Sequence, residues 1–314
     1  MSYYYTSDDL ISSLKRRIIV PTSQSTFTEQ DFLDFATEEM NMALVQSVMQ
    51  LQEDYYLHTV EIPIVLNKTK YAIPYRSIGN KLKDVAFKDE NGNVQEMTRI
   101  GIEDLPFYNG VSGRIHAYYM SSNEICLAMG ASNQINPGGT LSVSYYLRPN
   151  SLVPLKEVAI VSAIDRTTGI IQLDNFPDLF NQTKEIDLIM YKSPHKILKY
   201  DVLSSAMNST NKTITLSLTD IPDDLSKGDH IALATQTAIP QLPSDLHVIL
   251  AHRMAARILE ALGDTEGLQN ANQKLAEMEQ KTTVIIDDRV EAASRKVVNR
   301  HSILRAGLRK RRFR

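Results

Sequence analysis

Residues 27–57, FTEQDFLDFATEEMNMALVQSVMQLQEDYYL, carry a long helical pattern around which the rest of the chain can be organised. Thr28 is a favourable N-cap with Asp31 three residues later, and Phe27 and Phe32 stand where a hydrophobic staple closes over a helix start. Apolar residues then recur at three- and four-residue steps. They are Phe32, Phe35, Ala36, Met40, Ala43, Leu44, Val48, Leu51 and Tyr55. The pattern predicts one amphipathic helix that reaches Leu57, about 40 Å long at about 1.5 Å per residue.

A helix with a single apolar stripe needs partner helices to cover it. The helical period returns at Pro243, where Ser244 is the expected N-cap and Gly263 the expected stop, and Asp264 can cap a further helix. A short N-terminal helix is also predicted, with Ser7 as its cap. The apolar faces are Leu10, Ile11, Leu14 and Ile18 in the first helix, and Leu246, Ile249, Leu250, Met254, Ile258, Leu262, Leu268, Ala271, Leu275 and Met278 in the late ones. The predicted bundle core contains Phe32, Phe35, Val48, Leu51, Leu250, Met254 and Ile258.

Between these helices the apolar period changes to two, which is typical of β-strands. Residues 59–75 read as two strands joined at Asn67 and Lys68, in edge positions because of Pro63 and Pro74. Residues 82–97 read as a hairpin that turns over around 90–93, and residues 114–128 and 140–147 add further strands. A short helical turn, IEDLPFY, is expected at 102–108. These patterns predict a compact first β domain.

A second β segment, residues 157–236, contains a faint internal repeat. Ser162-Ala163, the turn at 168–169 and Pro177-Asp178 are echoed by Ser205-Ala206, the turn at 208–211 and Pro222-Asp223. Both copies end in an acidic residue that leads an apolar strand, Asp187 in one and Asp229 in the other. The pattern predicts a duplicated strand-hairpin-strand unit that closes into one small barrel. Chance alternation of residue types is the other interpretation.

The predicted fold class is α+β: an antiparallel helical bundle of N- and C-terminal helices, interrupted by a large all-β insertion of two small β domains and followed by a basic C-terminal tail. The predicted divisions are residues 1–57 for the N-terminal helices, 58–150 and 151–240 for the β domains, 241–283 for the helical hairpin that completes the bundle, and 284–314 for the tail. We expect the insertion to project from the helices, so that a short linker could replace it without unfolding them.

The net charge of −3 conceals an uneven distribution. Ten of the 34 basic residues but one of the 37 acidic residues lie in 289–314, so this tail carries +9 and the remainder of the chain −12. Such a tail usually binds an acidic surface or a nucleic acid. The single cysteine, Cys126, cannot form an intramolecular disulfide, and no apolar run approaches the about 18 residues that span a bilayer. The polar start MSYYYTSDDL does not resemble a signal peptide, so a cytosolic product is expected.

No catalytic or metal-binding pattern stands out in the sequence. The closest pair of histidines, His247 and His252, is about 140° apart around a helix and therefore off a shared ligand face. Gly138 and Gly139 follow Pro137 in a turn rather than opening a helix, which argues against a phosphate-binding loop. The other histidines are His58, His116, His195, His230 and His301. With no nucleophile elbow, zinc-binding helix or paired cysteines, we predict a protein that is not an enzyme and that uses no metal and no cofactor.

A short helix, a Pro-Thr linker, a capped helix of the form TFTEQDFLDFATEEMN, a β insertion, a closing helical hairpin and an Arg-rich tail together resemble the head-to-tail connector proteins of tailed bacteriophages. The helical parts carry the resemblance, and the size of the β insertion is most similar to ring proteins of large short-tailed phages such as the crAss-like group. The resemblance implies a virion protein of the neck, assembled in the host cytoplasm as a ring of twelve copies. It further implies contacts with the portal protein and with other neck or tail proteins. Packaged double-stranded DNA would pass through the channel without specific contacts, and no membrane would be involved.

The tail is the expected portal-docking element. Val290, Val297 and Leu304 recur at seven-residue steps, which favours a helix that forms on docking. A disordered solubilising tail is the alternative. The predicted docking residues are Arg289, Arg295, Lys296, Val297, Arg300, Leu304, Arg305, Leu308, Arg309, Lys310, Arg311, Arg312 and Arg314.

Two other function classes remain open at the level of the sequence. One is a nucleic-acid-binding protein whose tail arginines bind phosphate, since a guanidinium binds carboxylate and phosphate alike. The other is a tail or host-surface protein that binds carbohydrate through the β insertion.

Overall fold

The structure, a computed structural model, describes residues 5–18, 27–65, 68–108, 117–128, 139–181 and 183–286. These residues form a mixed α+β fold with several antiparallel sheets, so the predicted α+β class is confirmed at that level. The α-helices are α1 (Ser7–Arg17), α2 (Glu29–Glu39), α3 (Val45–Leu51), α4 (Leu105–Tyr108), α5 (His247–Leu262) and α6 (Thr265–Ile286). Within the described ranges, no helix is both long and apolar enough to cross a membrane.

The helical segment that starts at Thr28 begins as predicted. The Thr28 hydroxyl accepts the Asp31 N–H, and the Asp31 carboxylate accepts the Thr28 N–H in return, which is a reciprocal capping box. The rings of Phe27 and Phe32 lie 6.1 Å apart across this cap. The predicted helix start is therefore confirmed.

The prediction of one regular helix as far as Leu57 is wrong. A π-helical turn, Met40–Leu44, separates α2 from α3, and Gln52 leaves the helical conformation with φ −131°. A π turn contains one more residue than an α turn, so it rotates the apolar stripe of the following helix. Both Leu44 and Val45 consequently reach the core, although they are adjacent in sequence.

Helix caps elsewhere agree in part with the predictions. Thr6, rather than Ser7, caps α1, because the Thr6 hydroxyl accepts the Asp9 N–H while Ser7 is buried as the first helical residue. Ser244 opens a 3-10 turn instead of capping α5, which begins at His247. Gly263, with φ 74°, ends α5 as predicted, and Asp264 accepts the Gly267 N–H at 2.9 Å at the start of α6.

One hydrophobic cluster contains residues from both ends of the chain. Among the predicted core residues it buries Phe32, Val48, Leu250, Met254 and Ile258, while Phe35 and Leu51 are partly buried against it. The cluster also contains Tyr146 and Leu152, which belong to the predicted β insertion and are 1% and 0% exposed.

The contribution of Tyr146 and Leu152 argues against the expectation that a short linker could replace the β segment without unfolding the helices. The Leu152 N–H donates to the Thr37 hydroxyl at 2.9 Å, and the Ser7 N–H donates to the Ala238 carbonyl at 2.7 Å. Excision of 58–240 would expose apolar surface of the helices and remove these hydrogen bonds.

The strands of the first β region are β1 (Leu57–Pro63), β2 (Lys70–Ala72), β3 (Ser77–Lys88), β4 (Val94–Glu96), β5 (Thr98–Arg99), β6 (Ala117–Ser121), β7 (Glu124–Ala128) and β8 (Thr140–Leu147). They form two four-stranded sheets, ordered β1-β8-β3-β4 and β2-β7-β6-β5. The edge positions predicted for β1 and β2 are confirmed, but the two strands lie in different sheets and do not pair with each other. The hairpin of β3 and β4 is confirmed, as is the β6–β7 turn; residues 114–116 of the predicted strand lie outside the described residues.

The second β region begins with β9 (Ser151–Leu152), which pairs in parallel with β17 (Gln236–Thr237). The strands between them are β10 (Ala159–Asp165), β11 (Ile170–Leu173), β12 (Glu185–Ile189), β13 (Ile197–Leu203), β14 (Ala206–Asn208), β15 (Thr213–Thr215) and β16 (His230–Leu233). They pair in the order β13-β12-β16-β10-β11-β15-β14. Only Ser204 and Ser205 separate the two end strands, and their N–H groups donate to the carbonyls of Lys184 and Thr215. The ring of pairings therefore closes through the chain itself.

The strand pairing of this ring has twofold symmetry. In one half of the ring are β10, β11 and β12, and their counterparts in the other half are β13–β14, β15 and β16. The pairs β10–β11 and β10–β16 correspond to β14–β15 and β13–β12. The pairs β11–β15 and β12–β16 join each strand to its own counterpart. The predicted duplicated unit, closed into a small barrel, would give this pairing; the duplication itself stays a prediction.

Gly169 occupies the hairpin turn between β10 and β11 with φ 75°. A Cβ there would lie 2.4 Å from the carbonyl oxygen of Leu216, whose N–H donates to the Gly169 carbonyl. We expect Gly169→Ala to lower the free energy of unfolding by about 2 to 4 kcal/mol, because both backbone conformation and contact are unfavourable. Gly92 has φ 80° and open space around its Cβ position, so Gly92→Ala, the matched control, should cost about 1 kcal/mol. Urea unfolding measures both, and equal losses would refute the steric argument.

Candidate functional site

A buried ion pair between Arg76 and Asp187 joins the two β regions. Arg76 lies in the turn before β3, and Asp187 lies within β12; their side chains are 3% and 0% exposed. The Arg76 Nη1 and Nη2 atoms donate to the two Asp187 carboxylate oxygens at 2.6 and 3.0 Å. Such a bidentate contact fixes orientation as well as distance.

Asp187 accepts hydrogen bonds from three further groups. The Asn150 side-chain amide donates to it at 2.6 Å, and the N–H groups of Asp201 and Thr235 each donate at 3.0 Å. The Asn150 N–H in turn donates to the Gln241 side-chain carbonyl at 2.7 Å, shortly before α5 begins. A buried carboxylate is tolerated when its charge and lone pairs are satisfied in this way. The cluster therefore ties both β regions to the segment that enters the C-terminal helices.

Aromatic side chains surround the Arg76 guanidinium. Its Nε–H donates to the Tyr75 hydroxyl at 3.1 Å, and that hydroxyl donates to Asp201 at 2.7 Å. The ring centroid of Tyr200 lies 5.0 Å from the guanidinium carbon. Burial alone would lower the pKa of Arg76, but the hydrogen bonds and charge of Asp187 outweigh it, so the pKa is raised. Arg76 is therefore positively charged at neutral pH.

Three buried histidines lie where the second β region meets α5. His195, His230 and His247 are 0%, 2% and 0% exposed, and the ring centroids of His195 and His247 lie 5.3 Å apart. His247 Nδ1 accepts the Tyr5 N–H at 3.2 Å, so its Nε2 carries the proton and donates to the carbonyls of Pro240 and Leu242. These contacts connect the first residues of the described chain to α5.

Burial keeps all three histidines neutral. It lowers the pKa of His195 and His230 to about 4 and that of His247 to about 3, because a charged imidazolium loses its hydration there. At His230 the charge of Asp229 opposes this effect, and His195 reinforces it at both of the other rings. Among the described residues, no group of three or more His, Cys, Asp or Glu side chains is placed to hold a metal ion.

The buried histidines predict a loss of stability in mild acid. Each folded-state pKa lies below the unfolded value of about 6.5, so the unfolded chain binds more protons as the pH falls. Stability is therefore full above about pH 6.5 and decreases towards pH 4 by up to about 1.4 kcal/mol per pH unit for each histidine. In His230→Leu the free energy of unfolding should fall less steeply between pH 6.5 and 5, by the contribution of one histidine. Above pH 7 its dependence on pH should be the same as in the wild type. Urea titrations at a series of pH values give the slope, and an unaltered slope in His230→Leu would contradict a neutral buried His230.

A cleft of about 300 Å³ opens beside the polar cluster. It is lined by the end of the N-terminal helical segment, the start of β1, the end of β8 with the chain after it, and β13 with the residues before it. The chain between β15 and β16 and the segment between β17 and α5 complete the lining. The lining residues are Tyr55, Tyr56, Leu57, His58, Leu147, Arg148, Pro149, His195, Lys196, Ile197, Leu198, Pro222, Asp224 and Gln241. The cleft combines residues from the helices and from both β regions.

Ion pairs hold α6 against the other helices. Arg253 on α5 donates to Glu39 of α2 at 3.0 Å and to Glu279 of α6, and Arg257 Nε lies 3.5 Å from Glu39. Arg253 and Glu39 are 22% and 18% exposed, so water screens this contact less than a surface pair. The direction in which α6 leaves the helices is thereby fixed by residues of three helices.

The predicted docking residues are not among those that the structure describes. All thirteen, Arg289, Arg295, Lys296, Val297, Arg300, Leu304, Arg305, Leu308, Arg309, Lys310, Arg311, Arg312 and Arg314, lie beyond residue 286. The predicted core residues, in contrast, lie together in the cluster described above.

Sequence reasoning missed Arg76, Asn150 and the convergence of the histidines. One signal was present: Asp187 interrupts the apolar run EIDLIM, and a buried acid requires a partner. Nothing in the sequence singles out Arg76 as that partner.

In comparisons with known proteins, no family model and no curated protein matches this chain.

Proposed function

We propose that the protein is a structural component of a phage virion, a ring of twelve copies that connects the portal to the tail and lines the DNA channel. The observation that carries the proposal is that helices from both ends of the chain, α1 to α3 and α5 to α6, share one hydrophobic cluster. The resemblance to connector proteins implies such packing of N-terminal helices against C-terminal helices. The basic C-terminal tail that follows these helices in the sequence is a second feature of the resemblance.

In this proposal the helices form an antiparallel bundle. The two β regions are an insertion between the second and the third helix of that bundle. Tyr146 and Leu152 belong to the insertion but are buried in the hydrophobic cluster of the helices, so the insertion packs against the bundle and helps to stabilise it. The buried Arg76–Asp187 pair then keeps the two β regions in a constant relation to each other.

The basic tail is the proposed docking element. The described part of α6 reaches Ile286, and the first tail arginine, Arg289, follows three residues later in the sequence. In a crevice between portal subunits, tail arginines would bind carboxylates and carbonyl groups while Val297 and Leu304 become buried. The charge of −12 on the remainder of the chain would keep DNA from adhering to the channel.

Negative-stain electron microscopy and native mass spectrometry of the full chain test the proposal. We expect rings with a central hole and a mass of twelve subunits, alone or on addition of portal protein. A strictly monomeric protein that does not associate with portal rings would refute it.

A nucleic-acid-binding protein is the second candidate, favoured by the +9 charge of residues 289–314. It predicts that DNA affinity falls steeply with salt, because binding releases counterions from phosphate. Fluorescence anisotropy with a DNA duplex at several salt concentrations distinguishes it from portal docking, which needs no DNA.

A further inference from the structure

We propose that the cleft beside the Arg76–Asp187 cluster binds a small amphipathic carboxylate, a monoanion with an apolar body about as large as a phenylalanine side chain. This inference does not rest on the proposed connector function. The cleft volume of about 300 Å³ lies at the lower end of the range of about 300 to 1,000 Å³ that is usual for small-molecule sites.

The walls of the cleft are suited to an apolar body. Leu57, Leu198 and Pro222 line it and are only partly covered by the rest of the protein. The hydroxyls of Tyr55 and Tyr56 are already engaged, since they donate to the carbonyls of Pro194 and Gln241 at 2.6 and 3.0 Å. These two tyrosines therefore offer ring carbons, rather than free donors, to a ligand.

One cation of the cleft lacks a counterion. Lys196 lies 3.8 Å from Asp224, so these two side chains largely neutralise each other. The Arg148 N–H donates to the Arg76 carbonyl at 2.8 Å, but the Arg148 guanidinium makes no hydrogen bond or ion pair with any residue that the structure describes. The cleft thus has one unbalanced positive charge beside an apolar surface.

Arg148 is held where a ligand could use it. Its backbone is fixed by the bond to Arg76 and by Pro149, which is buried. A guanidinium presents two parallel N–H groups that match a carboxylate. A single unpaired cation balances a monoanion, whereas a phosphate ester would bring excess negative charge beside apolar walls. These features select a carboxylate on an apolar body.

The test uses 3-phenylpropionate and its neutral analogue 3-phenylpropanamide, titrated into the full chain at pH 7 and followed by ligand-observed NMR and calorimetry. We expect saturable binding of the acid with a dissociation constant in the low millimolar range, as is usual for so small a ligand. The amide should bind about fivefold more weakly, which is the size of effect expected for an ion pair that remains in contact with water.

Variants separate the charge from the apolar surface. Arg148→Gln should lower the affinity for the acid to that for the amide and leave the affinity for the amide unchanged. Leu57→Ser should lower the affinity for both ligands. Arg99→Gln is the matched control, since Arg99 is exposed in β5 and does not line the cleft. An acetylated tripeptide that ends in phenylalanine carries the same groups: if it binds, the site accepts chain ends, and if it does not, the site takes free small molecules. Failure of the acid to saturate, or an acid-to-amide ratio that Arg148→Gln leaves unchanged, would overturn the proposal.

Discussion

Asp187→Asn should lower the free energy of unfolding by about 3 to 5 kcal/mol, the usual loss when one partner of a buried ion pair is removed. The substitution hardly changes the volume, so the loss reflects charge and hydrogen bonding. Five donor contacts converge on Asp187, two of them from Arg76. The NH2 group of an asparagine is itself a donor, so it would face some of these donors and could not accept their hydrogen bonds. Arg76 would keep only Asp201 as a charged partner. Urea unfolding at pH 7, followed by circular dichroism, measures the change.

Two companion variants identify the cause of that loss. Asp223→Asn removes an exposed carboxylate 3.9 Å from Arg166 and should change the free energy of unfolding by less than about 0.5 kcal/mol. The pair Arg76→Met with Asp187→Leu removes both charges and should recover most of the stability, since an apolar pair of similar volume often replaces a buried ion pair without loss. If Asp187→Asn proves as mild as Asp223→Asn, the ion pair does not stabilise the fold.

Truncation after Asp288 should leave a folded protein that no longer joins filled phage heads. No described member of the helical cluster lies beyond Met278, so the thermal unfolding midpoint should be unchanged. Attachment should nevertheless be lost, because the tail holds all eight of the arginines assigned to docking together with the apolar residues Val297 and Leu304. Each desolvated bidentate contact would contribute about 1 to 3 kcal/mol to docking. Sedimentation of heads mixed with the protein measures attachment, and wild-type attachment by the truncated protein would contradict tail docking.

Conversion of the eight tail arginines to lysine provides the matched control for charge. Lysine keeps the positive charge but loses the planar pair of donors, so attachment to a portal crevice should fall sharply. A tail that binds phosphate only through its charge would lose little affinity for DNA in the same variant. Val297→Ser with Leu304→Ser discriminates in the same way, since it alters the apolar stripe and leaves every charge in place.

Features set by local chemistry were predictable from the sequence. The capping box of Thr28 and Asp31, the β3–β4 hairpin and the stop at Gly263 depend on residues a few positions apart, and each was predicted at the correct place. The π-helical turn was not, because apolar residues at three- and four-residue steps fit a regular helix equally well. The surface against which the helix packs decides whether a π-helical turn or a regular α-helix forms.

The candidate site was largely beyond such prediction because it depends on distant residues. Arg76 and Asp187 are 111 residues apart, and the chain contains 34 lysines and arginines that could in principle pair with a buried acid. His195 and His247 are brought together only when the second β region packs beside α5. The sequence spacing of the histidines therefore said little about their environment.

The helical cluster that unites both ends of the chain has a consequence for synthesis on the ribosome. Leu51 is made long before Ile258, and at about 5 to 20 residues per second the interval between them lasts about 10 to 40 s. Throughout that time the apolar faces of α1 and α2 lack α5, and α3 lacks its contact with α6. The nascent chain must therefore complete both β regions while its first helices are still unprotected, and during this delay their apolar surface is open to non-native contacts that a chaperone would prevent.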